Sequence, residues 1–354
     1  MRIGIPKEIK TLEARVGLVP AACSGLVQAG HEVLLETTAG ELSGYPDSDY
    51  TAIGVTIVPD ADSLYQQAEM IVKVKEPVGP ELERLQSHHL LFSYLHLAAE
   101  EKLASKLQEI GLTAVAFETV EEAGRLPLLA PMSDIAGRLS VQIGSNLLHR
   151  PNGGKGLLLG GLPAADRGHV VIIGGGVAGT NAAIIAAGLG ARVTVFDLSR
   201  DRLEALRAIG PNVTGLYPYP AAIEEAVIDA DIVVGAILRA GEKAAHVVTR
   251  ELVAKMQPGS VIVDISVDQG GCIETTRPTT YADPTYVEEG VVHFAVTNMP
   301  GAVPRSASQA LSASLIHYVH QLAGNDWRSN PALQLGINVE KGKFVHPALI
   351  EIFQ

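Results

Sequence analysis

The sequence predicts an α/β chain of two domains, each built on a parallel sheet, and three observations carry that reading. Short apolar runs alternate with helical patterns almost throughout, which is how parallel strands and their crossover helices read. The 354 residues exceed what one hydrophobic core usually serves. A loose stretch rich in Gly and Pro, Arg150 to Arg167, separates two series of such runs.

In the first series Ile3 to Ile5, Glu32 to Leu35, Met70 to Val74, Leu90 to Ser93 and Ala114 to Phe117 read as strands, with helices over Pro20 to Gln28 and Glu100 to Glu109. A long helical pattern, Ser133 to His149, then leads toward the loose stretch. The second series begins near His169 and continues through Arg192 to Phe196, Ile232 to Ala236, Ser260 to Ile265 and Val291 to Val296. After it Ser306 to Ala323 is helical again, so the tail is expected to complete the first domain. The expected division is residues 1–132 with 306–354 for one domain and 133–305 for the other.

Composition narrows the class. A chain with 47% hydrophobic residues, 36 Gly and 5% aromatics is a Gly-rich α/β protein rather than a disordered or fibrous one. Two cysteines, Cys23 and Cys272, build no disulfide framework and stand in no metal-ligand spacing, which fits a reducing cytoplasm. No basic segment followed by an apolar run opens the chain, and no uncharged stretch reaches about 18 residues, so neither secretion nor membrane spanning is expected. The net charge of -12, without acidic blocks, argues against a nucleic-acid footprint.

The second series carries a fingerprint. In the run from Val170 to Gly179 an apolar strand enters G-x-G-x-x-G at Gly174, Gly176 and Gly179, and a small-residue helix, Thr180 to Gly188, follows at once. Gly174 permits the tight turn, Gly176 lets backbone approach a pyrophosphate, and Gly179 lets helix and strand pack closely, with Val177 and Ala178 between them at the helix start. Asp197 closes the next strand, where a carboxylate accepts from a ribose 2′-hydroxyl and repels a 2′-phosphate. NAD is therefore the expected cofactor. The alternative for the glycines alone is a tight αβ turn without a ligand.

The first series places polar side chains where open α/β sheets bind ligands, beyond the carboxyl ends of strands. Arg15 lies after the first strand, Lys75 ends the strand Met70 to Val74, and His96 follows Leu90 to Ser93. Arg can fork onto a substrate carboxylate, Lys adds a point charge, and His exchanges protons near neutrality, a set suited to amino-acid or keto-acid chemistry. Each also has an ordinary reading, Arg15 and Lys75 as solvated loop charges and His96 as a helix cap or a satisfied core histidine. His88 and His89, at the opposite end of the same strand, read as surface residues. In the second series Asp268 follows Ser260 to Ile265 and precedes two glycines, a common setting for a turn aspartate, while Asn298 and Met299 follow the last strand. No zinc spacing, Walker loop or G-x-S-x-G elbow is present, which removes metal hydrolases, nucleotide kinases and serine hydrolases and leaves hydride transfer.

The segments Arg2-Ile3-Gly4-Ile5-Pro6-Lys7-Glu8, Val74-Lys75-Glu76-Pro77, Val267-Asp268-Gln269-Gly270-Gly271-Cys272, Arg277-Pro278-Thr279-Thr280 and Asn298-Met299-Pro300-Gly301-Ala302-Val303-Pro304 together resemble the alanine dehydrogenase family, in order along the whole chain. The resemblance implies two Rossmann-like domains with parallel sheets, a cleft between them and a chain crossing twice. It also implies NAD-dependent, reversible deamination of L-alanine to pyruvate and ammonia by a cytoplasmic homohexamer. It assigns Arg15 and Lys75 to the substrate carboxylate and His96 and Asp268 to acid/base work. To the cofactor surface it assigns Ser133, Gly174, Gly176, Val177, Ala178, Gly179, Asp197, Arg202, Leu238, Asp268, Arg277, Asn298 and Met299. Arg202 stands where Lys is usual, Pro218 where the family often has Ser, and Arg239-Ala240 replaces an apolar residue and proline. A transhydrogenase NAD-binding subunit shares the plan, and so does an amino-acid dehydrogenase of other substrate preference, but Pro131-Met132-Ser133-Asp134-Ile135-Ala136-Gly137-Arg138 reads like the dehydrogenases.

Overall fold

A computed structural model describes residues 1–237, 246–267 and 270–353. In chain order its strands are β1 (Arg2–Ile5), β2 (Glu32–Glu36), β3 (Thr56–Val58), β4 (Met70–Val72), β5 (Leu90–Ser93), β6 (Thr113–Ala116), β7 (His169–Ile173), β8 (Arg192–Phe196), β9 (Val213–Leu216), β10 (Ile232–Gly235), β11 (Val261–Asp264), β12 (Thr285–Glu288), β13 (Val291–Phe294), β14 (Ile337–Glu340) and β15 (Lys343–Phe344). The chain divides into two compact units, Met1–Met132 with Gly301–Gln354, and Ser133–Pro300.

In the first unit the sheet order is β15-β14-β6-β5-β4-β1-β2-β3, parallel from β3 to β6, with β14 and β15 antiparallel at one edge. The order reverses between β1 and β4, and such a switch point opens a crevice at the carboxyl ends of the flanking strands. In the core of this unit Leu34, Ile71, Leu91, Ala114 and Val339 pack with Leu103 and Leu107 of the helix Glu101–Ile110. The helix Pro304–Leu322 belongs to this unit for a local reason. Its Ser308 and Ser312 hydroxyls accept the N–H groups of Val16 and Val19, each at 3.0 Å, tying it to the loop after β1.

The second unit has the order β12-β13-β11-β10-β7-β8-β9, parallel except for the edge strand β12. Its switch point lies between β7 and β10. All five residues of β7 are buried, as a central parallel strand requires.

The strands the apolar pattern misses lie at or near the sheet edges. β3, β9 and β12 each carry exposed or half-buried positions, so they lack the continuous apolar run of a strand covered on both faces. β4 ends at Val72, two residues short of the sequence reading, so Lys75 stands beyond the strand rather than at its end. The helix Ala130–Leu147 starts three residues before the pattern read from sequence. Among the described residues no helix is long and apolar enough to cross a membrane.

Candidate active site

Three of the four residues expected at the reacting centre follow β1, β4 and β5 in the first unit. Arg15 is 3% exposed, and its Nε and Nη2 form a fork onto Glu13 at 2.7 and 2.6 Å while Nη1 lies 3.1 Å from Met132 Sδ. Burial alone would lower the guanidinium pKa, but the Glu13 carboxylate outweighs it and keeps the cation. Arg15 is thus a buried, oriented charge and not a solvated loop residue.

Lys75 is half-buried, with its ammonium 3.5 Å from the Glu76 carboxylate, which also takes Lys10. Burial would raise the Glu76 carboxyl, but Lys75 and Lys10 together hold it below the ordinary carboxylate range. Directly behind Lys75 lies a buried ionic cluster. Lys73, 1% exposed, reaches Glu8 and Glu81, each at 3.1 Å. Desolvation pulls the Lys73 pKa down and the two carboxylates more than restore it, while burial raises Glu8 against the pull of Lys73.

His96 is half-buried and left-handed, with φ +50°. That conformation costs on the order of 1 kcal/mol for a residue with a Cβ. One carboxylate holds it, since Glu118 accepts the N–H groups of Leu95 at 3.2 Å and His96 at 2.5 Å. The Tyr94 ring stacks on the imidazole at 6.0 Å with a 6° interplanar angle, and its hydroxyl donates to the Leu128 carbonyl at 2.6 Å. Burial raises the Tyr94 pKa, with Arg15 opposing, so its phenol stays neutral. Asp268, the fourth residue, lies outside the described residues.

The second unit builds the nucleotide loop. Gly174 has φ +105°, and a Cβ there would meet the Ala236 carbonyl at 2.6 Å, so the turn after β7 passes hard against the end of β10. A Cβ at Gly179 would stand 1.8 Å from the Gly174 carbonyl oxygen. At Gly176 it would meet nothing within 4 Å, leaving open space over the N-terminus of the helix Val177–Gly188, whose N-cap supplies no side-chain bond. Unsatisfied N–H groups facing open space form a fit seat for a pyrophosphate. Val177, 47% exposed, and Ala178 form the first turn of that helix.

Asp197 is 8% exposed and accepts the N–H groups of Gly175 and Ser199, each at 2.7 Å, so it braces the glycine loop. Its remaining lone pairs can still receive a ribose hydroxyl. Arg202 lies 3.4 Å from it, mostly exposed. Half-buried Ser133 precedes Asp134, which takes the amide of Asn181 at 2.7 Å and so ties the helix Ala130–Leu147 to the nucleotide helix. Arg277 is exposed, its guanidinium 4.1 Å above the Tyr286 ring. Asn298 is half-buried, and buried Met299 gives its carbonyl to Tyr281 at 2.7 Å. Leu238, Arg239 and Ala240 lie outside the described residues.

His89 corrects the sequence reading. It is 1% exposed, with Nδ1 accepting the Gln86 N–H at 2.9 Å and Nε2 at 2.9 Å from the Tyr65 carbonyl. Burial lowers its pKa to about 4, so it is a neutral core histidine; His88 is exposed. Glu8, Glu13, Lys73, Tyr94 and Glu118 are the neighbours that sequence reasoning missed. Lys73 left a signal, being a lysine inside the apolar run Met70 to Val74 that must find a carboxylate when the run is buried. A groove of about 550 Å³ lined by Pro331, Leu335, Ile337, Val345, His346 and Pro347 includes none of the candidate residues. Among the described residues no group of His, Cys, Asp or Glu is placed to hold a metal ion.

The models of the alanine dehydrogenase/PNT family match twice, the N-terminal domain over residues 4–136 and the C-terminal domain over residues 140–347. The chain belongs to this family. The alanine dehydrogenase of Geobacillus stearothermophilus is 50% identical over 359 residues, 99% of this chain and 95% of that protein. That of Halomonas elongata is 47% identical over 360 residues, 100% of this chain and 97% of its relative. A solved L-alanine dehydrogenase superposes with a TM-score of 0.97 at 50% identity, covering 100% of this chain and 99% of that one. A transhydrogenase from Sinorhizobium meliloti is more distant, with a TM-score of 0.86 and 25% identity over 98% of this chain and 100% of that one.

Proposed function

We propose that the protein catalyses the reversible, NAD-dependent oxidative deamination of L-alanine to pyruvate and ammonia. The observation that carries the reading is the set Arg15, Lys75 and His96 at the switch-point end of the first sheet, in a chain half identical throughout its length to an alanine dehydrogenase. The unit Met1–Met132 with Gly301–Gln354 is read as the substrate domain and Ser133–Pro300 as the NAD domain.

Bound NAD supplies the acceptor for the hydride that leaves Cα of L-alanine. Arg15, oriented by its fork onto Glu13, turns its remaining N–H groups to the substrate carboxylate, and Lys75 adds a point charge from the neighbouring loop. His96 and Asp268 share the proton transfers at the amine, at the attacking water and at the carbinolamine that collapses to pyruvate and ammonia. Each such transfer contributes roughly 10²- to 10⁴-fold. The Glu118 carboxylate holds the backbone of His96, and the stacked Tyr94 ring limits its swing. The helix start at Gly176 and Val177 takes the pyrophosphate, and Asp197 takes the ribose and disfavours a 2′-phosphate. Ser133, Arg202, Leu238, Arg277, Asn298 and Met299 complete the cofactor surface by family resemblance. A homohexamer in the cytoplasm is part of the same reading.

The test follows NADH absorbance with L-alanine and NAD, and with pyruvate, ammonium and NADH, using NADP and 2-oxoglutarate plus lysine as controls. Turnover in both directions with NAD and alanine is the expected result. NADH binding without alanine turnover would move the reading to another amino acid or to a transhydrogenase role.

A further inference from the structure

The ladder between β4 and β5 runs on past the strand ends, with Lys73 N–H on the Phe92 carbonyl at 3.2 Å and Tyr94 N–H on the Val74 carbonyl at 3.1 Å. At the next residue, Lys75, the backbone groups bond to side chains instead. Its two backbone groups end on one buried ion pair. The Lys73 ammonium donates to the Lys75 carbonyl at 3.0 Å, and Glu8 Oε1 accepts the Lys75 N–H at 3.4 Å after taking the Val74 N–H at 2.6 Å. Lys73 and Glu8 are themselves joined at 3.1 Å, and Glu81 closes the other side of the ammonium. A buried ion pair is a poor device for stability, because desolvation offsets its attraction. It is a good device for fixing a backbone, because the Lys73 ammonium makes a directional, charge-assisted bond to the Lys75 carbonyl at 3.0 Å, with the longer Lys75 N–H contact to Glu8 beside it.

We propose that Glu8 and Lys73 are positioning residues that grip the backbone of Lys75 and thereby aim its ammonium at the substrate carboxylate. The proposal rests on the reading of Lys75 as a carboxylate-binding residue. It places the role of Glu8 in the loop after β1 and links the two strands that flank the switch point. Glu8, in the loop that also carries Arg15, then ties that loop to the segment carrying Lys75.

The experiment is a double-mutant cycle on the full chain, Lys73→Met with Lys75→Ala, reading KM for L-alanine and pyruvate, KM for NAD, and kcat. Lys73→Met is expected to raise KM for both substrates roughly 10- to 100-fold, as misplacing a binding group does, with KM for NAD within about twofold of wild type. In the Lys75→Ala background the same change is expected to add no more than about twofold, since the group it positions is gone. Equal multiplication in both backgrounds, or a matching rise in KM for NAD, overturns the proposal and leaves the cluster a structural one. If Lys75→Ala leaves substrate KM unchanged, the carboxylate reading of Lys75 fails first, and the proposal falls with it. Should Lys73→Met not fold, Glu8→Gln keeps the volume and an acceptor for the two N–H groups while losing the charge. It is expected to raise substrate KM by about three- to tenfold in the wild-type background only. A rise in both backgrounds overturns the proposal.

Discussion

Substitution Gly179→Ala tests the nucleotide seat with a single methyl group. The added Cβ would lie 1.8 Å from the Gly174 carbonyl oxygen and 3.2 Å from Ile172 Cγ2. The offending partner is backbone, fixed at the end of a fully buried strand, so it cannot rotate aside as a side chain would. Restoring an ordinary contact of at least about 3.4 Å means that the start of the helix Val177–Gly188 withdraws by roughly 1.5 Å, an overpacking strain of about 1–3 kcal/mol. A withdrawal of that size takes a hydrogen bond from the helix N-terminus to an anion out of range. Losing one charge-assisted bond of about 1.5–3 kcal/mol corresponds to roughly 10- to 100-fold weaker cofactor binding. Fluorescence titration with NADH measures the affinity, and thermal melting separates it from the stability loss. An affinity within threefold of wild type, in a variant that melts lower, would refute the argument that this glycine sets the seat of the phosphates.

Other expectations follow from the same geometry. His96→Ala is expected to lower kcat roughly 10²- to 10⁴-fold in a folded chain, and Asp268→Asn likewise; near wild-type kcat in either variant removes that residue from the acid/base pair. Asp197→Ser removes the charge beside Arg202 and is expected to shift the NADP-to-NAD ratio of kcat/KM toward NADP by about tenfold or more, as steady-state rates with each cofactor would show. Asp264 is buried, which raises its carboxyl to about 6 against the lowering hydrogen bonds from Thr276 and the N–H groups of Ser266, Cys272 and Ile273. Because the folded pKa lies above the unfolded value of about 3.9, its contribution to stability is fully present below about pH 4 and is lost as pH rises through about 6. The advantage of wild type over Asp264→Asn in denaturant unfolding should shrink across that window by up to about 1.4 kcal/mol per pH unit, and a difference independent of pH would contradict it.

The central strands were legible because a parallel strand buried on both faces is apolar along most of its length, as Val170 to Ile173 and Ile232 to Val234 are. The dinucleotide loop was legible for a related reason, since close backbone approach at Gly174 and Gly179 admits no side chain and leaves glycine as the only record. Edge strands were not, because exposure on one side dilutes the apolar run. What sequence could not display were partners joined across long separations. Glu118 holds His96 from another strand end, Glu8 reaches Lys73 from the first loop, and Ser308 ties the returning helix to Val16. His89 shows the converse. A polar residue beside another histidine at a strand start looks exposed until the carbonyl of Tyr65 and the N–H of Gln86 are found to satisfy both ring nitrogens.

The central claim is that hydride passes directly from Cα of L-alanine to NAD. Turnover of L-alanine deuterated at Cα, with mass spectrometry of the NADH formed, tests it most directly. The account predicts that essentially every NADH carries one deuterium and that pyruvate accumulates in equal amount. NADH without the label, or no NADH from L-alanine at all, would contradict it.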